Sequence, residues 1–247
     1  MGTIKQPPRR GRPPKATAKA APNVTDPGQS DRSARPFVPS SRSLQSLRDA
    51  ATACRGCDLY LRATQVVFGA GTRRSRIVLV GEQPGDREDL EGQPFVGPAG
   101  HLLSRALEDA GIAAADSYVT NAVKHFSWEP RGKRRIHRKP RLSEVRACRP
   151  WLEAELDAVR PAVIVCLGAT AAQSLLGTAF RLTAHRGQLI DSPWASAVVA
   201  TVHPSSVLRT PDSESRRIAY EGFVADLRVA AKAAGTGRGS GKGEDLG

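Results

Sequence analysis

The chain has 247 residues and a formal net charge of +13, from 37 Lys and Arg against 24 Asp and Glu, and 40% of its residues are hydrophobic. This composition is typical of soluble globular proteins and excludes fibrous or wholly disordered chains. No run approaches the ~18 consecutive apolar residues of a membrane span, so we expect no membrane partner. The positive charge favours a polyanionic partner, nucleic acid above all, although a solvated basic surface has the same composition.

Composition divides the chain into three parts. Residues 1–42 are rich in Pro, Ala, Arg and Ser, and residues 234–247 are rich in Gly, Ser and Lys, so both are predicted to be disordered tails. The first tail carries nine Lys or Arg against two Asp. Because it lacks the apolar centre of a secretory leader, we expect a cytoplasmic, nucleoid-associated protein. The folded domain is predicted to span 43–233.

Hydrophobic periodicity predicts alternating helices and strands through the folded domain. In chain order these are a helix at 43–53, a strand at 77–80, a helix at 98–110, a strand at 118–120, a helix at 143–158, a strand at 162–167, a helix at 169–176, a strand at 197–202 and a helix at 213–233. Such alternation predicts right-handed crossovers and an α/β fold, namely a three-layer α/β/α sandwich with a mainly parallel central sheet.

Polar and unusual residues follow the predicted strands at their carboxyl ends. They are Gly-Glu-Gln-Pro-Gly at 81–85, Asn121, Cys-Leu-Gly at 166–168 and His-Pro-Ser-Ser at 203–206. Ligands of open α/β sheets bind at this edge of the sheet. The sequence therefore predicts that one crevice collects all four segments.

The four cysteines form a candidate metal-binding set. Cys54 and Cys57 make a Cys-x-x-Cys pair in a polar context, and Cys148 and Cys166 follow far along the chain. Four thiolates of this kind suit tetrahedral Zn²⁺ or a [4Fe–4S] cluster, and the spacing does not separate the two. Four unrelated buried thiols are the alternative, because free cysteine is a common core residue and Cys166 lies in an apolar strand.

Several segments together give the chain a family resemblance. The stretches GEQPGDREDLEGQPFVGPAG (81–100), VTNAVKHF (119–126) and HPSSVLR (203–209), with the cysteines, resemble the iron–sulfur uracil-DNA glycosylases. The stretch KRRIH (133–137) is similar to the X-type branch of that family (UdgX). The resemblance covers about 43–230 and implies the uracil-DNA glycosylase fold.

The resemblance also implies a cofactor and marks one departure from the ordinary branch. It implies a [4Fe–4S] cluster held by the four cysteines, Cys54, Cys57, Cys148 and Cys166. Where the ordinary branch has a small residue after the motif glutamate, this chain has Gln83, which is a further X-type feature.

The resemblance assigns roles in uracil excision to side chains that each also have an ordinary structural explanation. Phe95 would stack on the uracil once it leaves the helix, and Asn121 would read its N3–H and O4 groups. His203 would donate to O2 as negative charge develops there, and Glu82 would stabilise the cationic sugar. Three further residues line the same loop, with the third at the position that blocks the thymine methyl in the ordinary branch: Gln83, Asp86 and Glu88.

Residues 124–141 form a basic segment with one acidic residue. Its cations are Lys124, Arg131, Lys133, Arg134, Arg135, Arg138, Lys139 and Arg141. The plain interpretation is salt-sensitive phosphate binding, with Arg135 as a substrate contact. The X-type resemblance implies more: His137 captures the sugar C1′ after uracil leaves, while Arg135 and Arg138 keep its imidazole neutral. The N-alkylimidazole product would be a poor leaving group, so the adduct would persist.

The first tail contains RRGRPPK at 9–15, which resembles an AT-hook. In such a segment Pro fixes an extended path and Gly lets the backbone approach the floor of a narrow A·T-rich minor groove. The motif is short, and a basic Pro-rich tail produces it by chance as well.

Three functions remain open from the sequence. The first is a uracil-DNA glycosylase that ends in a covalent histidine–DNA adduct. The second is ordinary multiple-turnover excision with Glu82 activating water and His137 binding phosphate, and the third is a non-catalytic, metal-stabilised DNA-binding protein. For the first two we expect uracil-containing DNA, single- or double-stranded, as the partner of a monomer.

Overall fold

The computed structural model describes residues 32–41 and 43–235. Its seven strands are β1 (Ile77–Gly81), β2 (Ser117–Asn121), β3 (Trp128–Arg131), β4 (Arg134–His137), β5 (Val163–Leu167), β6 (Leu189–Ser192) and β7 (Ala195–Thr201). Five of them form one sheet in the order β2-β1-β5-β7-β6. The first four run parallel, and β6 lies antiparallel on β7 at the edge.

The described residues form eight α-helices, which cover both faces of the sheet. They are α1 (Leu44–Ala51), α2 (Asp86–Glu91), α3 (Pro98–Asp109), α4 (Leu142–Val159), α5 (Ala169–Leu176), α6 (Leu182–His185), α7 (Pro204–Leu208) and α8 (Ser213–Ala234). Within the described ranges, no helix combines the length and apolar character needed to cross a membrane.

Alternation of side chains along the central strands builds two apolar layers. Ile77 and Leu79 of β1 face α3 and α8, whereas Val78 and Val80 face α4 and α5. Because β1 and β5 are buried on both faces, their sequences are nearly continuous apolar runs, as parallel strands require. The predicted three-layer α/β/α sandwich with a mainly parallel sheet is thus confirmed.

The segment predicted to be a basic loop contains a β-hairpin. Strands β3 and β4 pair antiparallel, with Trp128 opposite His137, and Gly132 takes a left-handed conformation (φ 60°) in the turn. Sequence periodicity did not reveal this hairpin because its residues are polar on both faces. The short helices α2, α6 and α7 and the edge strand β6 were missed for a similar reason, since elements of four to six residues carry little periodic signal.

The fold begins before the predicted boundary at residue 43. Ala34 is buried, its N–H donates to the carbonyl of Ala147 at 2.7 Å, and a 3₁₀ turn follows it at Arg35–Phe37. A Cβ on Gly56 would lie 2.6 Å from the Ala34 nitrogen, so glycine there permits this close approach. These residues therefore belong to the domain and not to the tail.

The other predicted boundary is displaced by one residue, because Ala234 is buried at the end of α8. The AT-hook-like segment at 9–15 and the Gly/Ser/Lys-rich stretch at 236–247 lie outside the described residues. The disorder and groove binding predicted for them stay predictions.

A buried ion pair joins β2 to α4. Glu155 and Lys124 are both fully buried and pair with each other, and Glu155 also accepts hydrogen bonds from Tyr118 Oη at 2.8 Å and Thr120 Oγ1 at 3.0 Å. Lys124 Nζ also donates to the Asn121 carbonyl at 2.7 Å. The prediction that Lys124 is one of the phosphate-binding cations is therefore wrong, because its ammonium group is buried and paired with Glu155.

Replacing Glu155 by Gln should destabilise the fold strongly, because it leaves the buried Lys124 ammonium without its carboxylate. We expect a loss of ~3–5 kcal/mol in the free energy of unfolding, as for other broken buried pairs. Glu153→Gln is the matched control on the same helix. It breaks the partly exposed i,i+4 pair with Arg149 and a longer pair with the exposed Arg35, each worth ~0–1 kcal/mol. Denaturant titration of both variants checks this, and equal midpoints would contradict it.

Candidate active site

The carboxyl ends of β1, β2, β5 and β7 open into a cleft of about 660 Å³. Among its lining residues are eight that the sequence singled out: Glu82, Gln83, Asp86, Glu88, Phe95, Asn121, His137 and His203. Leu167 and Gly168 line it as well, so the predicted convergence of four segments on one crevice is confirmed. The sheet topology explains it, because parallel strands end at the same edge.

Phe95 forms a flat wall of the cleft in a conformation that two glycines permit. It has a left-handed backbone (φ 58°), which is uncommon for a bulky residue. A Cβ on Gly100 would lie 1.6 Å from the Phe95 carbonyl oxygen, and one on Gly81 would lie 2.8 Å from its ring. The ring stands 6.3 Å from that of His203, 27° from parallel. Such an over-determined placement is typical of functional sites.

Asn121 ends β2 with its side chain directed over β1. A Cβ on Gly81 would lie 2.2 Å from Asn121 Oδ1, so the glycine makes room for this amide. The residue is 3% exposed, and its amide makes no hydrogen bond to any described residue. The group is therefore available to a ligand in the cleft, with one acceptor and two donor positions.

His203 precedes α7 and presents a neutral ring to the cleft. Its Nδ1 accepts a hydrogen bond from the Ser205 backbone N–H at 3.1 Å, which leaves the ring proton on Nε2. Burial, with smaller contributions from the neighbouring Arg209 and His137, lowers the pKa of His203 to about 4. At neutral pH the ring is consequently an uncharged hydrogen-bond donor.

The Gln83 amide fixes His137 at the mouth of the cleft. The amide oxygen accepts from the Ser127 N–H at 3.0 Å, so the amide nitrogen faces His137 Nε2 at 2.8 Å. Since that nitrogen can only donate, His137 Nε2 is the acceptor and keeps its lone pair. The Glu82 carboxylate lies 3.6 Å from the same Nε2. The cleft thus holds a nucleophilic nitrogen beside a carboxylate.

The two arginines that flank this histidine are bound by carboxylates. Arg135 pairs with Asp86 at 2.6 Å and with the fully buried Asp89 at 2.5 Å, and Arg138 pairs with Glu144 at 2.8 Å. Their charges are compensated by these carboxylates, and the idea that they keep the His137 imidazole neutral stays a prediction. Arg135 does not line the cleft.

The placement of Arg135 makes it an anchor for the hairpin, and its role as a substrate contact stays a prediction. Its guanidinium stacks over the rings of Phe126 at 5.5 Å and Trp128 at 5.7 Å. The two carboxylates that hold it belong to α2, so it fastens β4 to that helix. Asp86 is accordingly a structural partner of the hairpin at the rim of the cleft.

Glu88 braces the loop that carries the cleft residues. Its Oε1 accepts from the Gly97 N–H at 3.4 Å, and a Cβ on Gly85 would lie 2.4 Å from its Oε2. The carboxylate therefore packs between the two ends of the 85–97 loop while still lining the cleft. Its role in excluding thymine stays a prediction.

Three of the four cysteines share one apolar cluster between α1 and α4. Cys54, Cys57 and Cys148 are buried there, and all are free thiols. Burial raises the pKa of the Cys57 thiol to about 11, with a smaller contribution from the neighbouring Cys54. The Trp151 indole N–H donates to Cys54 Sγ at 3.2 Å, and the Lys124 backbone N–H donates to Cys148 Sγ at 3.3 Å.

Cys166 lies apart from these three. It is fully buried on β5 in the layer that packs against α4 and α5, and burial is the sole cause that raises its pKa to about 12. The expectation that Cys166 completes the metal-binding set is therefore wrong. As the apolar strand context suggested, it behaves as a core residue.

His125 is a potential metal ligand that the sequence analysis did not identify. It is 6% exposed and follows Lys124, whose N–H contacts Cys148. Its imidazole makes no hydrogen bond to the described residues, and burial lowers its pKa to about 4, which leaves the ring neutral and able to ligate. The signal available in the sequence was its position, immediately after the strand-end segment that carries Asn121.

The cysteine region offers three buried sulfurs and a neutral imidazole as donor atoms. A [4Fe–4S] cluster takes one ligand per iron, so four donors match that number. In the described part of the chain, no three His, Cys, Asp or Glu side chains are arranged to hold one metal ion.

Comparison with known proteins agrees with this geometry. Residues 68–228 match the family model of the Uracil DNA glycosylase superfamily. A type-4 uracil-DNA glycosylase of Thermotoga maritima is 42% identical over 169 residues, covering 68% of this chain and 84% of the relative. Those of Archaeoglobus fulgidus (39%, covering 68% and 85%) and Sulfurisphaera tokodaii (32%, covering 77% and 87%) are similar too. The chain therefore belongs to the uracil-DNA glycosylase superfamily, as its motifs indicated.

Proposed function

We propose that this protein excises uracil from DNA and then remains covalently attached to the abasic sugar through His137. Superfamily membership and the type-4 relatives support uracil excision. The single observation that carries covalent capture is the hydrogen bond from the Gln83 amide to His137 Nε2, with Glu82 3.6 Å away. It holds an imidazole lone pair where the sugar of a bound nucleotide would lie.

Uracil recognition uses the flat wall and the free amide of the cleft. The base enters by leaving the DNA stack and lies against Phe95, a contact worth ~1–3 kcal/mol. The Asn121 amide donates to O4 and accepts from N3–H, a pattern that cytosine reverses. Packing of this amide against Gly81 holds it in place and so supports the discrimination.

Cleavage of the glycosidic bond develops two opposite charges, and the cleft has a partner for each. The bonding pair of C1′–N1 leaves with uracil, and the Nε2–H of neutral His203 donates to its O2. The sugar becomes cationic at C1′, beside the Glu82 carboxylate. Both groups are in place before the reaction, so little reorganisation is needed.

Capture by His137 balances without an external reagent. The Nε2 lone pair forms a bond to C1′, and the ring then loses its Nδ1 proton to solvent, because the side chain is 51% exposed. Gln83 gives up its bond to Nε2 but still donates to the carbonyls of Ser127 at 3.2 Å and Arg138 at 3.0 Å. The product is a neutral N-alkylimidazole, which departs poorly.

The DNA backbone contacts are made by cations that have no carboxylate partner among the described residues. Lys124, Arg135 and Arg138 of the basic segment are paired with carboxylates. The other five cations of the segment are Arg131, Lys133, Arg134, Lys139 and Arg141. Lys139 lines the cleft, and Arg131 and Arg134 face each other near the turn of the hairpin. These residues supply the salt-sensitive part of DNA affinity.

Substituting His137→Ser should abolish the covalent band while uracil release continues, because Phe95, Asn121 and His203 are unchanged and water enters in place of the imidazole. Glu82→Gln should slow both uracil release and adduct formation by about 10²–10³-fold, as loss of other preorganised electrostatic groups does. A uracil-containing oligonucleotide on a denaturing gel, with parallel measurement of free uracil, reports both. His185→Ser on α6, outside the cleft, is the control.

The three functions left open by the sequence give different gels. A band at wild-type yield from His137→Ser would show that another residue is the nucleophile. If the wild-type protein releases uracil but forms no covalent band, excision is ordinary multiple turnover. If it gives neither free uracil nor a band, the protein is a non-catalytic DNA-binding protein.

Substituting Arg135→Gln should lower the ratio of covalent adduct to released uracil, because the hairpin loses its attachment to Asp86 and Asp89 and His137 loses its fixed position. Arg131→Gln is matched, since it lies on the same hairpin but has no carboxylate partner among the described residues; it should weaken DNA binding without altering the ratio. Single-turnover assays at saturating protein give the ratio. If Arg135→Gln leaves it unchanged, the anchor does not position His137.

We further propose that Cys54, Cys57, Cys148 and His125 hold a [4Fe–4S] cluster. When bound, the group would cross-link the 54–57 segment to α4 and to the segment that follows β2. Each iron takes one protein ligand, and the cluster accepts electrons at a potential set by its surroundings.

Cys148→Ser and His125→Ala should each lose iron, sulfide and brown colour, whereas Cys166→Ser should retain all three. The physical reason is that Cys166 lies in a different layer of the core. Iron and sulfide content of anaerobically purified protein decides the matter. Loss of the cluster from Cys166→Ser with retention in His125→Ala would reverse the assignment, and a colourless wild type with one zinc per chain would reject the cluster.

A further inference from the structure

Trp151 is a buried aromatic residue that the excision mechanism does not use. It is fully buried on α4, three residues after Cys148, so the two side chains share one face of the helix. Its indole N–H donates to Cys54 Sγ at 3.2 Å. Among the described residues, this sulfur is the acceptor of that hydrogen bond. Its ring meets Phe68 edge to face at 6.1 Å.

The identity of this acceptor is informative. A buried indole N–H without a good acceptor leaves its desolvation uncompensated, and a neutral thiol sulfur accepts only weakly. A metal-bound thiolate carries negative charge and accepts much more strongly. The pairing of a fully buried donor with Cys54 Sγ is therefore suited to a sulfur that is bound to iron.

We infer that the indole N–H of Trp151 sets the reduction potential of the iron–sulfur cluster by hydrogen bonding to the Cys54 thiolate. A hydrogen bond withdraws electron density from the sulfur, which favours the more negative, reduced state and raises the potential. The Lys124 backbone N–H acts in the same way on Cys148, but side-chain substitution cannot remove it. The inference rests on the cluster proposed above and does not depend on uracil excision.

The ring and the N–H of Trp151 have separable effects. Phenylalanine at this position keeps an aromatic ring against Phe68 and deletes the donor alone. Trp194→Phe is the matched control, because Trp194 lies at the β6–β7 turn against Arg149 and outside the apolar cluster that holds Cys54, Cys57 and Cys148.

The test is voltammetry of the holoproteins, with iron content and uracil release measured on the same samples. Trp151→Phe with a full cluster should have a lower midpoint potential than wild type, whereas Trp194→Phe should match wild type. Equal potentials at equal iron content overturn the inference. Absence of uracil release from the wild type would reject the proposed function but leave this comparison intact.

A second measurement covers the case in which Trp151→Phe does not hold its cluster. The Trp128→Phe/Trp194→Phe double variant retains Trp151 as the sole tryptophan of the chain. Labelled with ¹⁵N in the indole, it should show coupling of that nitrogen to the cluster in pulsed EPR of a paramagnetic oxidation state. Absence of the coupling overturns the inference.

Discussion

The Gln83 amide fastens the end of β1 to both ends of the hairpin that carries the nucleophile. It binds the backbone of Ser127 before β3 and of Arg138 after β4, and it donates to His137 between them. The proposed covalent capture depends on this constraint, because it fixes His137. The same strand β1 leads into Glu82, and its last residue Gly81 gives room to the cleft side chains. One side chain thereby couples the rigid sheet to a polar hairpin with little core of its own.

Electrostatic compensation distinguishes two kinds of cation on the same segment. Arg135 and Arg138 form ion pairs with carboxylates, and Lys124 is buried in an ion pair with Glu155. These three cations therefore stabilise the fold and the hairpin. Among the described residues, the cations of this segment without a carboxylate partner lie near the turn of the hairpin, at the mouth of the cleft (Lys139) and at the start of α4 (Arg141). A high net charge alone would not have separated the structural cations from those proposed to bind DNA, since both kinds are basic and adjacent in sequence.

The cysteine region has a comparable division between ligands and the residues around them. Cys54, Cys57 and Cys148 share an apolar cluster with Trp151, and His125 supplies a neutral nitrogen beside it. Hydrogen bonds from Trp151 and from the Lys124 backbone reach two of the sulfurs. The same short segment after β2 therefore contributes the buried lysine, the candidate ligand and a donor to a thiolate. It links the cysteine region to the cleft through two successive positions, Lys124 and His125.

The sequence determined the alternation of strands and helices, the apolar layers and the convergence of the strand-end motifs, because each follows from local periodicity and from parallel strands ending at one edge. It also identified Glu82, Phe95, Asn121, His137 and His203 as cleft residues. Only the tertiary structure decided the partners of the charged and sulfur-bearing side chains: which arginines are neutralised, that Gln83 holds His137, and that Cys166 is separated from the other cysteines. The contacts of Gln83 with His137, Arg135 with Asp89 and Trp151 with Cys54 join residues 46 to 97 positions apart, and no local pattern encodes a distance across the fold.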